Sequence, residues 1–163
     1  IKAAKELGYE DDSEKYETLY QKILYHFNRE FVTPNGRLSD QTQTAHVLAL
    51  KFGLTNPERI KNTLKKLLED NKNKLKTGFV GTPYLLHVLQ DIGRIDLAYK
   101  LLLKDTFPSW LYSVKMGATT MWERWDGMKE DRSFATPEMN SFNHYAFGAV
   151  GDWMFSTVAG ISR

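Results

Sequence analysis

The 163 residues predict an all-α fold and, within that class, an α/α toroid. Three features lead there. Apolar residues recur at three- and four-residue steps nearly throughout, the period of helices rather than strands. Helices with a single apolar stripe alternate with helices that are apolar almost all round. The stretch between Asp105 and Met139 is longer than a stacked helical repeat tolerates, and such a loop in a compact domain is usually functional.

The first helix follows Ser13, its expected N-cap. Tyr16, Leu19, Tyr20, Ile23, Leu24, Phe27 and Phe31 form one stripe expected to be buried, and Glu14, Lys15, Glu17 and Lys22 occupy the other faces. Thr33, Pro34, Asn35 and Gly36 end it with turn residues. The second helix, from about Asp40 to Phe52, is of another kind. Ala45, Val47, Leu48, Ala49, Leu50 and Phe52 cover most of its circumference, while Asp40, Gln41, Thr42, Gln43 and Thr44 make its first turn polar. Gly53 stops it as a C′ residue does.

Asn56-Pro57 is a cap followed by proline at the first helical position, and Ile60, Leu64, Leu67 and Leu68 then make a one-sided helix. Thr82-Pro83 repeats the signal and opens Tyr84 to Ile92, apolar nearly all round. After Gly93 a one-sided helix runs from Arg94 to Lys104, burying Ile95, Ala98, Leu101 and Leu102. The last helix, Phe142 to Ala159 with Asn140 or Ser141 as its cap, is again apolar on most faces. The first two buried helices begin about forty residues apart, within the range of helical-hairpin repeats. In a toroid the buried helices form an inner ring, and their polar first turns at Asp40–Thr44, Gly81–Tyr84 and Asn140–His144 gather at one rim.

Composition narrows function. Apolar and charged fractions of 42% and 26% are those of an ordinary globular domain. With 22 basic and 20 acidic residues, the charge is too balanced to indicate nucleic acid. The lysines bunched from Lys61 to Lys76 read as the solvated face of a helix and its exit, with no interleaved aromatics for stacking bases. The absence of cysteine excludes disulfides, thiolate catalysis and Cys-based zinc sites. His26, His46 and His87 lack metal-ligand spacing and read as structural or surface residues, so neither a metal nor a cofactor is expected. No apolar run reaches membrane-spanning length. The start at Ile1, leading into AAKELG, suggests a piece of a longer chain, and the compartment stays open.

The chemistry concentrates in GATTMWERWDGMKEDRSFATPEMNSFNH, Gly117 to His144. Glu123 stands between Trp122 and Trp125, and Asn140, Ser141, Asn143 and His144 follow as a polar cluster. An indole ring packs on the apolar face of a pyranose, while carboxylates and amides hold its hydroxyls. A core helix has little use for charges among tryptophans, because burying them unpaired is costly. A surface turn with Trp122 and Trp125 tucked under it and Glu123 paired to Arg124 is the competing reading, as is a His144 that merely satisfies a helix start. Glu138 is a rival to Glu123, Trp110 is either core or pocket, and Asp152, deep in an apolar helix, needs a hydrogen-bonding partner or an adjoining domain.

FVGTPYLLHVLQDIGRIDLAYKLLL, FPSWLYSVKMGATTMWERWDG and MNSFNHYAFGAVGDWMF, with LSDQTQTAHVLALKFGL before them, resemble the α-L-rhamnosidases of glycoside hydrolase family 78. The resemblance covers more than half the chain in consistent order. It implies an (α/α)6 barrel, of which residues 1–163 would be the C-terminal half, three helical hairpins of six. It further implies inverting hydrolysis of rhamnosides, with Glu123 as general base and His144 contacting the sugar near the water. Trp122, Trp125 and Asn143 are carried over as substrate-binding residues. The family's general acid has no counterpart here, so the partners implied are a rhamnoside and the remainder of the barrel, and residues 1–163 alone should be inactive. Another toroid glycosidase and a non-enzymatic helical scaffold are the alternatives.

Overall fold

The computed structural model describes residues 1–136 and 138–161. Its elements are α1 (Lys2–Glu6), α2 (Glu10–Phe31), α3 (Gln43–Lys51), α4 (Pro57–Asp70), α5 (Thr82–Asp91), α6 (Ile95–Leu102), α7 (Trp110–Lys115) and α8 (Val150–Trp153). A 3₁₀ turn, Ala146–Ala149, leads into α8, and a π-helical turn, Met154–Val158, extends it. Among the described residues there is no strand, only isolated bridges at Val32–Leu38 and Met128–Phe134.

The layers follow the alternation of patterns. The inner helix α3 packs against α5, and α5 packs against α8; α4 covers α3 and α6 covers α5. One core runs through them, built from Val47, Leu64, Leu68, Leu85, Leu89, Leu97, Leu101 and Trp153, all nearly or fully excluded from solvent. The fold is thus the helical-hairpin arrangement of an α/α barrel segment. Gln90 joins α5 to the last helix, its Oε1 accepting from Trp153 Nε1 at 3.0 Å and from Thr157 Oγ1 at 2.7 Å.

Polar first turns become caps and clamps. Thr42 Oγ1 accepts from the Ala45 amide at 3.1 Å, and Asp40 Oδ1 accepts from the Thr42 amide at 2.9 Å, so α3 begins at Gln43 rather than Asp40. Buried Gln43 donates to the Lys74 carbonyl and accepts from the Lys76 amide, fixing the extended segment after α4. The His46 ring is fully buried with Nδ1 2.9 Å from the Thr42 carbonyl, and burial lowers its pKa. On α4, Asn56 caps the Glu58 amide, and Lys61 pairs with Glu58 on the solvated face.

On α6, Ile95 is 43% exposed instead of buried, and Leu97 takes the core position. Three larger sequence expectations are also corrected. Ser13 is no cap: α2 starts earlier, after Tyr9, and Ser13 lies within it, buried. Glu10, Asp11 and Asp12 fill the first turn, where acidic side chains suit the free amides of a helix start. Second, the stripe of α2 is mostly bare. Tyr16, Leu19 and Ile23 are each almost half exposed, because the N-terminal half of α2 is covered only by the five-residue α1. Further along, Tyr20 donates to the Phe52 and Gly53 carbonyls, and Asn28 to the Leu54 carbonyl at 2.7 Å. Third, the last helix begins at Ala146, not Phe142, for a reason that lies in the site below. Asp152 does find a partner, His87 Nε2 at 2.9 Å, although its side chain is 80% exposed rather than deep.

An uncovered stripe of this kind drives association in water. Produced alone, residues 1–163 are expected to sediment as oligomers in analytical ultracentrifugation; a monodisperse monomer would contradict this.

The rim forms where α3 and α5 begin. A Cβ on Gly81 would stand 2.9 Å from Thr44 Oγ1 and 3.1 Å from Thr77 Cβ, so the chain enters α5 through a gap only glycine fits. Gly81→Ala is expected to cost about 1–3 kcal/mol by overpacking, read as a lowered thermal midpoint of the longer protein. An unchanged midpoint would show that Thr44 and Thr77 yield freely.

Candidate active site

The described part of the long loop, Asp105 to Thr136, is organised by a helix that its six-residue length hid from the sequence pattern. Ser109 caps α7 by accepting from the Tyr112 amide at 3.1 Å. Trp110, the first residue of α7, is core: its Nε1 donates to the Phe147 carbonyl at 2.9 Å and its ring is buried. Tyr112 Oη donates to the Met128 carbonyl at 2.9 Å, tying the far side of the loop to the same helix. Burial, together with the carboxylates of Glu130, Asp126 and Asp131, raises the Tyr112 pKa, so the phenol stays a donor.

Beyond α7 two loop segments are joined by two backbone rungs. The His144 amide donates to the Met121 carbonyl at 2.8 Å, and the Glu123 amide donates to the Ser141 carbonyl at 2.9 Å. Between these rungs two residues, Phe142 and Asn143, both at bends of the chain, face the single residue Trp122. Thr120 Oγ1 adds a hydrogen bond to the Phe142 carbonyl. Residues 141–144 are therefore held by the loop and unavailable to a helix, which explains the late start at Ala146.

The pairing aims the carboxylate. The Ser141 amide donates to Glu123 Oε2 at 2.7 Å, and among the described residues no other hydrogen bond reaches this group. Arg124 does not take it. Its guanidinium pairs with Asp126, Nε 3.0 Å from Oδ1, and reaches Thr136, so the ion pair closes one step along the turn. That guanidinium holds the Asp126 carboxyl below its usual range despite partial burial. The Gly127 amide completes the turn by donating to the Arg124 carbonyl, and Asn140 Nδ2 donates to the Gly127 carbonyl at 2.7 Å.

The aromatic residues lie beneath. Trp122 is only 4% exposed and meets Phe142 edge to face, with centroids 5.1 Å apart. Trp125 stacks on Phe147 at 3.9 Å and stands edge-on to Trp110 at 5.3 Å. His144 lies nearly parallel to Phe79 at 4.7 Å and to Tyr145 at 5.1 Å, and its Nδ1 accepts from the Ala146 amide at 3.2 Å. Asn143 is exposed, its amide donating to Ser141 Oγ. Glu138 is exposed in a separate turn and joins none of these bonds among the described residues.

The structure therefore brings Glu123, Ser141, Asn143 and His144 onto one paired unit. Phe79, Tyr145 and Phe147 belong to the same rim and were not singled out from sequence. The signal for Phe79 was an aromatic held between Gly78 and Gly81 at the mouth of an inner helix. Among the described residues no group of three His, Asp or Glu side chains is placed to hold a metal ion, and no helix is long and apolar enough to cross a membrane.

An α/α barrel segment carrying a tryptophan-flanked carboxylate at its open rim has the form of a helical glycosidase domain. The comparisons with known proteins give the family. Residues 1–158 match the bacterial alpha-L-rhamnosidase 6 hairpin glycosidase domain, and the chain belongs to that family. It is 45% identical, over 99% of its length, to an alpha-L-rhamnosidase of Formosa agariphila, covering 18% of that protein. It is 47% identical, over 98% of its length, to one of Streptomyces avermitilis, covering 16% of it. The crystal structure of the Streptomyces avermitilis alpha-L-rhamnosidase complexed with L-rhamnose superposes with a TM-score of 0.93 at 46% identity, over 98% of this chain and 16% of that one. The chain thus spans less than a fifth of these relatives.

Proposed function

We propose that residues 1–163 are the C-terminal half of the catalytic barrel of an inverting α-L-rhamnosidase, with Glu123 as its general base. The observation that carries this is the single, directed hydrogen bond on the Glu123 carboxylate. One oxygen is engaged by the Ser141 amide at 2.7 Å, which leaves the other to accept a proton from water.

In this reading Glu123 takes a proton as the water oxygen bonds to the anomeric carbon, and the bond to the leaving oxygen breaks on the opposite face. The leaving oxygen needs a proton from an acid about 6.5–9.5 Å away, the spacing of inverting carboxyl pairs. No carboxyl in these residues is offered for that part. Asp40 is occupied in capping Thr42, and Asp11 and Asp12 lie in the first turn of α2. The acid therefore comes from the remainder of the barrel, and these residues alone are inactive. His144 and Asn143 hold sugar hydroxyls, while Trp122, only 4% exposed, and Trp125, stacked on Phe147, support the rim from beneath instead of meeting the sugar as carried over.

Relatives named alpha-L-rhamnosidase and a superposable structure holding L-rhamnose support the choice of sugar. The test is hydrolysis of 4-nitrophenyl α-L-rhamnoside by the longer protein beside its Glu123→Gln variant. Turnover that collapses in the variant supports the assignment, and turnover that survives intact overturns it.

A further inference from the structure

His144 needs more than its backbone to serve as a sugar contact, because an imidazole on a rim has two free side-chain torsions and two tautomers. The structure restrains both. The Ala146 amide donates to Nδ1, so the proton of the neutral ring sits on Nε2. Phe79 stacks on the ring face, nearly parallel to it at an interplanar angle of 13° with 4.7 Å between centroids, whereas the other stacked ring, Tyr145, is 87% exposed and has little to hold it in place.

Phe79 comes from a different part of the chain, the entry to α5, and is itself anchored. Its ring leans on Phe147 at 5.3 Å, Phe147 stacks on Trp125 at 3.9 Å, and Trp125 meets Trp110 edge-on. A continuous run of rings thus ties the histidine on the rim to a buried tryptophan of α7. Phe79 is 42% exposed, more than core packing alone requires of a phenylalanine. The close approach of Gly81 to Thr44 and Thr77 holds the segment that presents it.

We propose that Phe79 is a positioning residue that holds the His144 imidazole flat on the rim, so that His144 meets the sugar as an Nε2–H hydrogen-bond donor to a hydroxyl. The inference rests on the rhamnosidase reading for its ligand and goes beyond it in naming the residue and the donor atom. Phe79 touches no reacting atom. Its whole effect passes through His144.

That last condition is what a double-mutant cycle measures. In the longer protein, Phe79→Leu is expected to lower kcat/KM on 4-nitrophenyl α-L-rhamnoside about tenfold, as loosening a positioned group does. Phe79→Tyr, which keeps a flat ring, should restore most of it. In a His144→Ala background, Phe79→Leu should cost nothing further. Equal losses in both backgrounds would overturn the proposal by making Phe79 a general structural residue, as would an unaffected Phe79→Leu single variant.

A second readout is independent of turnover. Modification of His144 by diethyl pyrocarbonate, followed by mass spectrometry of its peptide, should be several-fold faster in Phe79→Leu and unchanged in Phe79→Tyr. An unaltered rate in Phe79→Leu would overturn the positioning role. Glu123→Gln run alongside separates the two claims. If it abolishes turnover while Phe79→Leu has no effect, only the present inference fails. If it leaves turnover intact, the rhamnosidase reading of the site fails, and the modification rates still decide whether Phe79 holds His144.

Discussion

Glu123→Gln in the longer protein is expected to lower kcat by about 10²–10⁴-fold, the usual worth of a positioned general base, with KM little changed. The substitution keeps the length and shape of the side chain. It also keeps the contact that orients it, since the carboxamide oxygen can accept from the Ser141 amide as Glu123 Oε2 does at 2.7 Å. Satisfying that amide turns the NH₂ toward the position of the water. A group that must accept a proton is then replaced by one that only donates. The rungs on either side, His144 to Met121 and Glu123 to Ser141, are backbone bonds and survive the change. Steady-state kinetics, with unaltered circular dichroism as the control for folding, are the measurement. A loss of only a few-fold would place the base elsewhere on the rim.

The largest expected effect on stability is at Trp153. It is 1% exposed, meets Tyr99 edge to face at 5.3 Å, and gives its indole hydrogen to Gln90. Trp153→Ala is expected to cost about 3–5 kcal/mol, combining lost burial with the cavity left behind. In thermal unfolding of the longer protein this corresponds to a midpoint lower by a few degrees, since the shift per kcal/mol shrinks with chain length. Trp153→Phe retains most of the volume and is expected to lose mainly the hydrogen bond, about 1 kcal/mol. Gln90 Oε1 keeps its second donor, Thr157, in either variant. An alanine variant as stable as the parent would mean that the last helix docks without its anchor.

Helix type and layer order were legible in sequence because they rest on periodicity and caps. Asn56-Pro57 starts α4 with its cap as expected, whereas Thr82 lies inside α5, bonded to Thr77 instead of capping it. The all-round apolar runs at 45–52 and 84–92 became the inner helices α3 and α5. Burial was less legible. The stripe of α2 has the same period as that of α4, but α4 lies along the nine-residue α3, whereas among the described helices only the five-residue α1 lies along α2. A pattern states which face is apolar, not what covers it. The start of the last helix was misjudged because Asn140 and Ser141 are cap-forming residue types, whereas the hydrogen bonds of residues 141–144 are spent across the loop. Glu123 and His144 stood out through composition and family resemblance. Phe79 did not, since its meaning depends on a ring 65 positions away.

The two rungs that join Met121–Glu123 to Ser141–His144 also determine where the chain tolerates changes in length. Losing one residue between the rungs of either segment breaks one of the two bonds or reorients the side chains between them. A single deletion between Met121 and Glu123, or between Ser141 and His144, would rotate the carboxylate or the imidazole away from the rim while leaving the composition almost intact. Insertions at the exposed tip around Lys129–Arg132 displace neither rung. Relatives that differ in loop length should therefore place their gaps at the tip and keep the spacing within each paired segment invariant.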